Sequence, residues 1–168
     1  VVSSLAVSQE AQNHVRFLLT LGKDFMRVGD GAEFKSCWAL GDEYHKTAKA
    51  VLASLHAELA EGEPVEEHEM KVKIGRKASE IAPREIPEEA PWSWLSLSKR
   101  IGKNKLGEWG MKNSPHISPR GVRDLAYLVM KRHGSPLHFS EVAALIEKSL
   151  GEHAHVQTVH NELIKDSR

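Results

Sequence analysis

Three polar residues near the C-terminus, Gln157, Asn161 and Lys165, recur every four residues. That spacing places them on one face of a helix, with Thr158 beside them. Gln and Asn amides can pair with adenine, and Lys can contact guanine or phosphate. The pattern predicts a helix that contacts base edges in DNA. The alternative is an ordinary solvated helix face.

A second group of side chains could bind the DNA backbone. Lys99, Arg100, Lys103 and Lys105 fall within seven residues, although the whole chain has a formal net charge of zero. Cations on an exposed hairpin can contact phosphates without regard to sequence. The alternative is a strand edge that Lys protects against aggregation. The density of charge favours an anionic partner.

Catalytic patterns are missing from the sequence. It contains no Gly-rich phosphate loop, paired-carboxylate constellation or nucleophile motif, which predicts a protein that is not an enzyme and takes no cofactor or small-molecule substrate. The lone Cys37 is expected to be a small buried residue. Five histidines match no closed zinc pattern and predict no metal site: His133, His138, His153, His155 and His160.

A repeated pattern predicts where the basic residues lie. Residues 26–38 and 99–109 each contain a basic residue, a β-branched residue, a Gly, a turn pair, an apolar residue and a Trp. Gly-Asp-Gly and Gly-Lys-Asn suit tight turns with positive φ. We therefore expect antiparallel ribbons over 25–40 and 98–111, with turns at 29–31 and 102–104. Acidic residues dilute the charge of the first ribbon, and we expect it to bind no nucleic acid.

Helical spacing surrounds these ribbons. Apolar residues three and four apart predict helices from Ser8 to Gly22 and from Gly41 to Gly62, and a short one over 66–74. Residues 75–91 contain three prolines and are expected to be partly a loop, and 88–97 one or two helical turns. Three further helices are predicted to begin at Ser118, Ser140 and His155. Their expected core is Leu125, Val129, Val142, Leu145, Ile146, Val159 and Leu163.

These elements predict a mainly α protein with small β-hairpins, an α+β chain of tandem winged helix-turn-helix modules. Residues 1–41 form a partial N-terminal module and 42–112 a degenerate winged helix with the basic wing. Residues 113–168 form a last module without its wing. Val156, Ile164 and Phe139 are expected to be left open by that missing wing.

The last module carries a resemblance to a known family. Residues 120–127 (RGVRDLAY), 134–139 (GSPLHF) and 158–163 (TVHNEL) resemble the HARE-type helix-turn-helix domain. This winged helix also occurs in the delta subunit of bacterial RNA polymerase. Residues 13–38 and 95–110 are similar to the middle of bacterial proteins that join a sigma-factor-like helix-turn-helix to such a domain. The resemblance implies a transcription-linked role without catalysis.

Two functions are consistent with these features. The first is a transcription-associated protein that binds DNA, with RNA polymerase as a second candidate partner. The other is an adaptor whose winged helices bind polymerase or another protein without touching DNA. The acidic stretch 58–89 favours the adaptor, and the basic ribbon favours DNA. No apolar run approaches membrane-spanning length, and we expect a cytoplasmic fragment of a longer protein, associated with the bacterial nucleoid if it binds DNA.

Overall fold

The computed structural model describes residues 8–167 and is mainly helical, with two small antiparallel strand pairs, so it belongs to the α+β class. The described residues form seven α-helices, a 3₁₀ turn over Leu95–Leu97 and four strands. In chain order these are α1 (Gln9–Leu21), β1 (Phe25–Val28), β2 (Cys37–Leu40), α2 (Gly41–Glu61), α3 (Glu67–Ile81), α4 (Glu89–Trp94), β3 (Ile101–Lys103), β4 (Trp109–Met111), α5 (Val122–His133), α6 (Phe139–Leu150) and α7 (Val156–Lys165).

The chain divides into two compact units. Unit 1 runs up to Ser54 and resumes over Ile74–Lys99, and unit 2 comprises Leu55–Lys73 and everything from Arg100 onward. The divisions fall inside α2 and α3, so each of these helices contributes residues to both units. The expected modules over 1–41, 42–112 and 113–168 stay predictions.

In unit 1, α1 begins as its sequence predicts. The Ser8 hydroxyl accepts a hydrogen bond from the backbone N–H of Ala11, and the helix ends at Gly22. A side-chain acceptor at this position satisfies one of the donors that the first helical turn leaves unpaired. The expected helix boundaries are confirmed, although α1 buries none of its side chains.

The first ribbon is confirmed as an antiparallel pair, but its predicted tight turn is wrong. Phe25 lies opposite Leu40 and Val28 opposite Cys37, and residues 29–36 connect the strands. Neither Gly29 nor Gly31 has a positive φ. A connection of this length reverses the chain without the left-handed backbone that a two-residue turn requires.

The stretch expected to be partly a loop is helical over its first part. Helix α3 continues past Ile74 to Ile81 because Met70, Ile74 and Ala78 form a buried row at four-residue spacing. Gly75 lies inside the helix, and a side chain there would meet no neighbouring atom within 4 Å. The helical turns expected over 88–97 are confirmed as α4 and the 3₁₀ turn.

The second ribbon, in unit 2, is also confirmed as an antiparallel pair with its turn elsewhere than predicted. Gly102 lies within β3, opposite Gly110, and the loop covers residues 104–108. Gly107, with φ +93°, takes the left-handed conformation expected of Gly102. Gly102 is needed instead because there is no room for a side chain: a Cβ there would lie 2.6 Å from Cγ of Lys112.

The last three helices pack around one apolar core. Val129, Val142, Ile146 and Val159 are buried there as predicted, whereas Leu125, Leu145 and Leu163 are only partly buried against it. Helices α5 and α6 end at Gly134 and Gly151. The expected start at Ser118 is wrong, because α5 begins at Val122 with Gly121 as its N-cap.

Candidate nucleic-acid interface

Helix α7 presents the polar residues that the sequence predicts on one face. Val159 on the opposite side is fully buried, which fixes the rotation of the helix about its axis. The exposed face carries Gln157, Thr158, Asn161 and Lys165. The structure therefore brings these four predicted contacts together on a helix that a packed core supports.

The two amides on this face are hydrogen-bonded to each other. Nε2 of Gln157 donates to Oδ1 of Asn161 over 3.2 Å. Oε1 of Gln157 and Nδ2 of Asn161 then remain as one acceptor and one donor at the helix surface. Nζ of Lys165 lies 3.5 Å from Oε1 of Glu162, in an exposed pair that constrains the Lys weakly.

Ile164 is a surface residue that the predicted contact set leaves out. Its side chain is 71% exposed and lies seven residues after Gln157, on the same side of α7. The sequence predicted its exposure together with that of Val156, and both are exposed, but Phe139 is half-buried. The helical spacing from Gln157 is the signal that would have placed Ile164 on the polar face.

The loop of the second ribbon is fixed by a buried Asn. Oδ1 of Asn104 accepts from the backbone N–H groups of Leu106 and Glu108 over 2.9 and 3.0 Å. Its Nδ2 donates to the carboxylate of Glu108 and to the carbonyl of His116 over 2.8 and 2.9 Å. The side chain thus satisfies both ends of its amide and defines the loop conformation.

This loop packs against the three C-terminal helices. Leu106 lies against their apolar core, and a guanidinium nitrogen of Arg132 donates to its carbonyl over 2.9 Å. Lys105 forms an ion pair with Glu152, which precedes α7. The ribbon and α7 therefore belong to one unit, in which the ribbon tip lies beside the segment that leads into α7.

The predicted basic residues are each engaged with other groups. Nζ of Lys103 lies 2.7 Å from the Glu67 carboxylate and 5.7 Å from the centre of the Trp109 ring. The hydrogen bond from Lys103 holds the pKa of Glu67 below its ordinary range. The backbone carbonyl of Arg100 accepts a hydrogen bond from the backbone N–H of Lys112 over 2.7 Å, and Arg100 is one of the residues that line a cavity of about 250 Å³.

Lys99, by contrast, belongs to unit 1. Its ammonium group pairs with the Asp30 carboxylate and donates to the carbonyl of Gly31 over 2.8 Å. The hydrogen bond from Lys99 holds the pKa of Asp30 below its ordinary range. The structure thus places three of the four predicted ribbon cations in unit 2 and gives Lys99 a role in holding the first loop.

The remaining candidate chemistry is limited. Burial raises the pKa of the half-buried Cys37 thiol, which works against a thiolate. Over residues 8–167, no three His, Cys, Asp or Glu side chains are grouped so that they could hold a metal ion. In the same range no helix combines the length and apolar character needed to cross a membrane.

Comparisons with known proteins identify no relative of this chain. The chain matches no protein-family model, and no curated protein or solved structure shows significant similarity to it. The resemblance to HARE-type domains stays a prediction that rests on the residues quoted for it.

Proposed function

We propose that this chain is a non-catalytic, transcription-associated protein that binds duplex DNA through unit 2. The observation that carries the proposal is the exposed face of α7, with its polar residues aligned and its opposite side packed on the core. A helix presented in this way can enter the major groove and contact base edges. RNA polymerase is a second candidate partner through the resemblance alone.

The ribbon would supply affinity without sequence preference. Lys103 and Lys105 are paired with Glu67 and Glu152, and the four side chains are 41–54% exposed. Exposed ion pairs contribute only about 0–1 kcal/mol. A DNA phosphate, which carries a full charge and releases counterions on binding, can therefore replace either carboxylate.

The chemistry of the α7 face favours A·T base pairs. The free acceptor of Gln157 and the free donor of Asn161 complement N6–H and N7 of adenine. The exposed Ile164 offers an apolar contact for the methyl group of thymine. Guanine presents two acceptors at the same edge and would leave the Gln157 oxygen without a donor.

Charge reversal at the ribbon tests the proposal. We expect K103E/K105E to weaken binding of a labelled duplex at least tenfold and to lower the slope of log affinity against log salt by about two. The matched control, K46E/K49E on α2, makes the same charge change in unit 1 and should leave both values unchanged. Fluorescence anisotropy of the full chain over a salt series measures them.

Base preference is tested on the same duplexes. The wild-type chain should prefer A·T-rich sites, and N161A should reduce that preference about tenfold while retaining most of the salt-dependent affinity. I164A should remove the difference between thymine and uracil in the site, whereas V72A on α3 should not. If no salt-sensitive binding occurs, the adaptor function replaces this proposal.

The adaptor remains a second candidate because a specific observation favours it. The two ribbon lysines of unit 2 that would meet phosphate are already neutralised by carboxylates of the same unit. A wing with its charge balanced in this way is suited to a polar protein surface as well. Salt-insensitive capture of RNA polymerase, without duplex binding, would support the adaptor.

A further inference from the structure

Helix α1 displays apolar side chains that unit 1 leaves uncovered. Phe17, Leu18 and Leu21 are 62%, 64% and 63% exposed, and no residue of the helix is buried. They are separated by one, three and four positions, so they occupy one side of the helix. A surface helix normally turns its apolar side toward the core. This helix presents it outward instead.

The exposed surface continues onto the first ribbon. The ring of Phe25 lies against Gly22 at the end of α1, and Phe25 is the register partner of Leu40. Both side chains of this pair are exposed as well. We call Phe17, Leu18, Leu21, Phe25 and Leu40 the apolar face of unit 1. Among the described residues, only Val15, Val72, Val156 and Ile164 are further large apolar side chains with comparable exposure.

We infer that the apolar face of unit 1 is covered by the same face of a second copy of this chain. Given these exposures, the face offers on the order of 500 Å² per copy. Two such faces bring together on the order of 1,000 Å², and a polar rim raises this to the size of a specific interface, about 1,200 Å². A patch that pairs with itself closes in a two-fold dimer.

Sedimentation of the full chain over a range of concentrations tests the dimer. We expect a reversible dimer, and F17E and L21E should each raise its dissociation constant at least tenfold. These side chains are exposed, so the circular dichroism spectrum and melting of the monomer should not change. The matched control is V72E, which places the same charge on an exposed valine of α3 and should leave association unchanged.

A chain that stays monomeric up to high concentration, or a dimer that V72E weakens and F17E does not, overturns the inference. Binding of the monomer to lipid vesicles through the apolar face would overturn it too.

Discussion

The two ribbons share a sequence pattern, and they differ in how their loops are held. In the first ribbon, loop 29–36 is tied by backbone hydrogen bonds from Lys35 to Leu97 and from Lys99 to Glu33, each 2.8 Å long. In the second, loop 104–108 is organised by the buried side chain of Asn104. A neighbouring segment therefore holds the first loop, whereas the conformation of the second is set by a side chain of its own ribbon.

Their registers show that the sequence pattern aligns the ribbons incorrectly. The pattern pairs Gly29 with Gly102, yet Gly29 follows β1 and Gly102 lies inside β3. The structural correspondence is that a basic residue faces a Trp in both, Arg27 opposite Trp38 and Lys103 opposite Trp109. Similar composition around a hairpin thus predicts a ribbon without fixing its register or its turn.

The largest expected difference in stability between the loops concerns Asn104 and Asp30, the polar side chains that accept hydrogen bonds from loop N–H groups. N104A should lower the free energy of unfolding by about 3 kcal/mol, because it leaves two part-buried N–H groups of the loop without their acceptor. D30A removes an exposed carboxylate that accepts from the Ser36 N–H over 3.2 Å, and solvent can replace it. Its effect on thermal melting should be much smaller. Chemical denaturation of both variants measures the difference.

Asn104→Asp provides the control for this prediction. It retains the acceptor for Leu106 and Glu108 but removes the donor to His116 and places a carboxylate next to Glu108. We expect it to destabilise the chain and to do so more at neutral than at acidic pH. Equal destabilisation by N104A and D30A would show that Asn104 does not organise its loop.

The sequence was most informative where structure is local. Ser8 caps α1 and Gly134 and Gly151 end α5 and α6 because these choices depend on a few neighbouring residues. It failed at Gly75, where burial of the neighbouring Ile74 outweighs the cost of a helical glycine. The burial of Asn104 was missed as well, because the backbone carbonyl of His116, which accepts from its side chain, lies 12 residues away.

Gly29 and Gly102, at which tight turns were wrongly predicted, provide the second test of the comparison. G102A should destabilise unit 2 by about 1 kcal/mol, because its Cβ would come within 2.6 Å of Lys112 and 3.4 Å of Ile117. G29A should be neutral or slightly stabilising, because nothing lies within 4 Å and its φ is not positive. Matching melting temperatures for the two variants would contradict this account of the ribbons.

The candidate interface was predictable where it depends on local helical spacing. Four-residue spacing was enough to place Gln157, Asn161 and Lys165 on one face of α7. The ion pairs of Lys103 and Lys105 join residues 36 and 47 positions apart, so only the tertiary structure reveals them. Charge counted along the chain therefore overstates how much free positive charge the ribbon carries.

The smallest expected effect on stability concerns Glu63, whose carboxylate pairs with Lys131 far along the sequence. The hydrogen bond from Lys131, over 2.5 Å, holds the pKa of Glu63 below its ordinary value of 4.5, and His116 adds to this. A carboxyl whose pKa is lower in the folded state stabilises the fold above its ordinary pKa. That contribution is lost as the pH falls through the folded value. Because the Glu63 side chain is 69% exposed, screening limits the contribution to well under about 1 kcal/mol.

Glu63→Gln isolates this contribution. The variant should melt slightly below wild type at pH 7, and the difference should vanish at pH values well below 4.5, where the wild-type carboxyl is protonated too. Glu61→Gln, which removes a neighbouring carboxylate of α2 outside this pair, is the matched control for the loss of one negative charge at pH 7. A difference that grows on acidification would mean that Glu63 favours its protonated form in the folded chain, opposite to the direction its Lys131 contact implies.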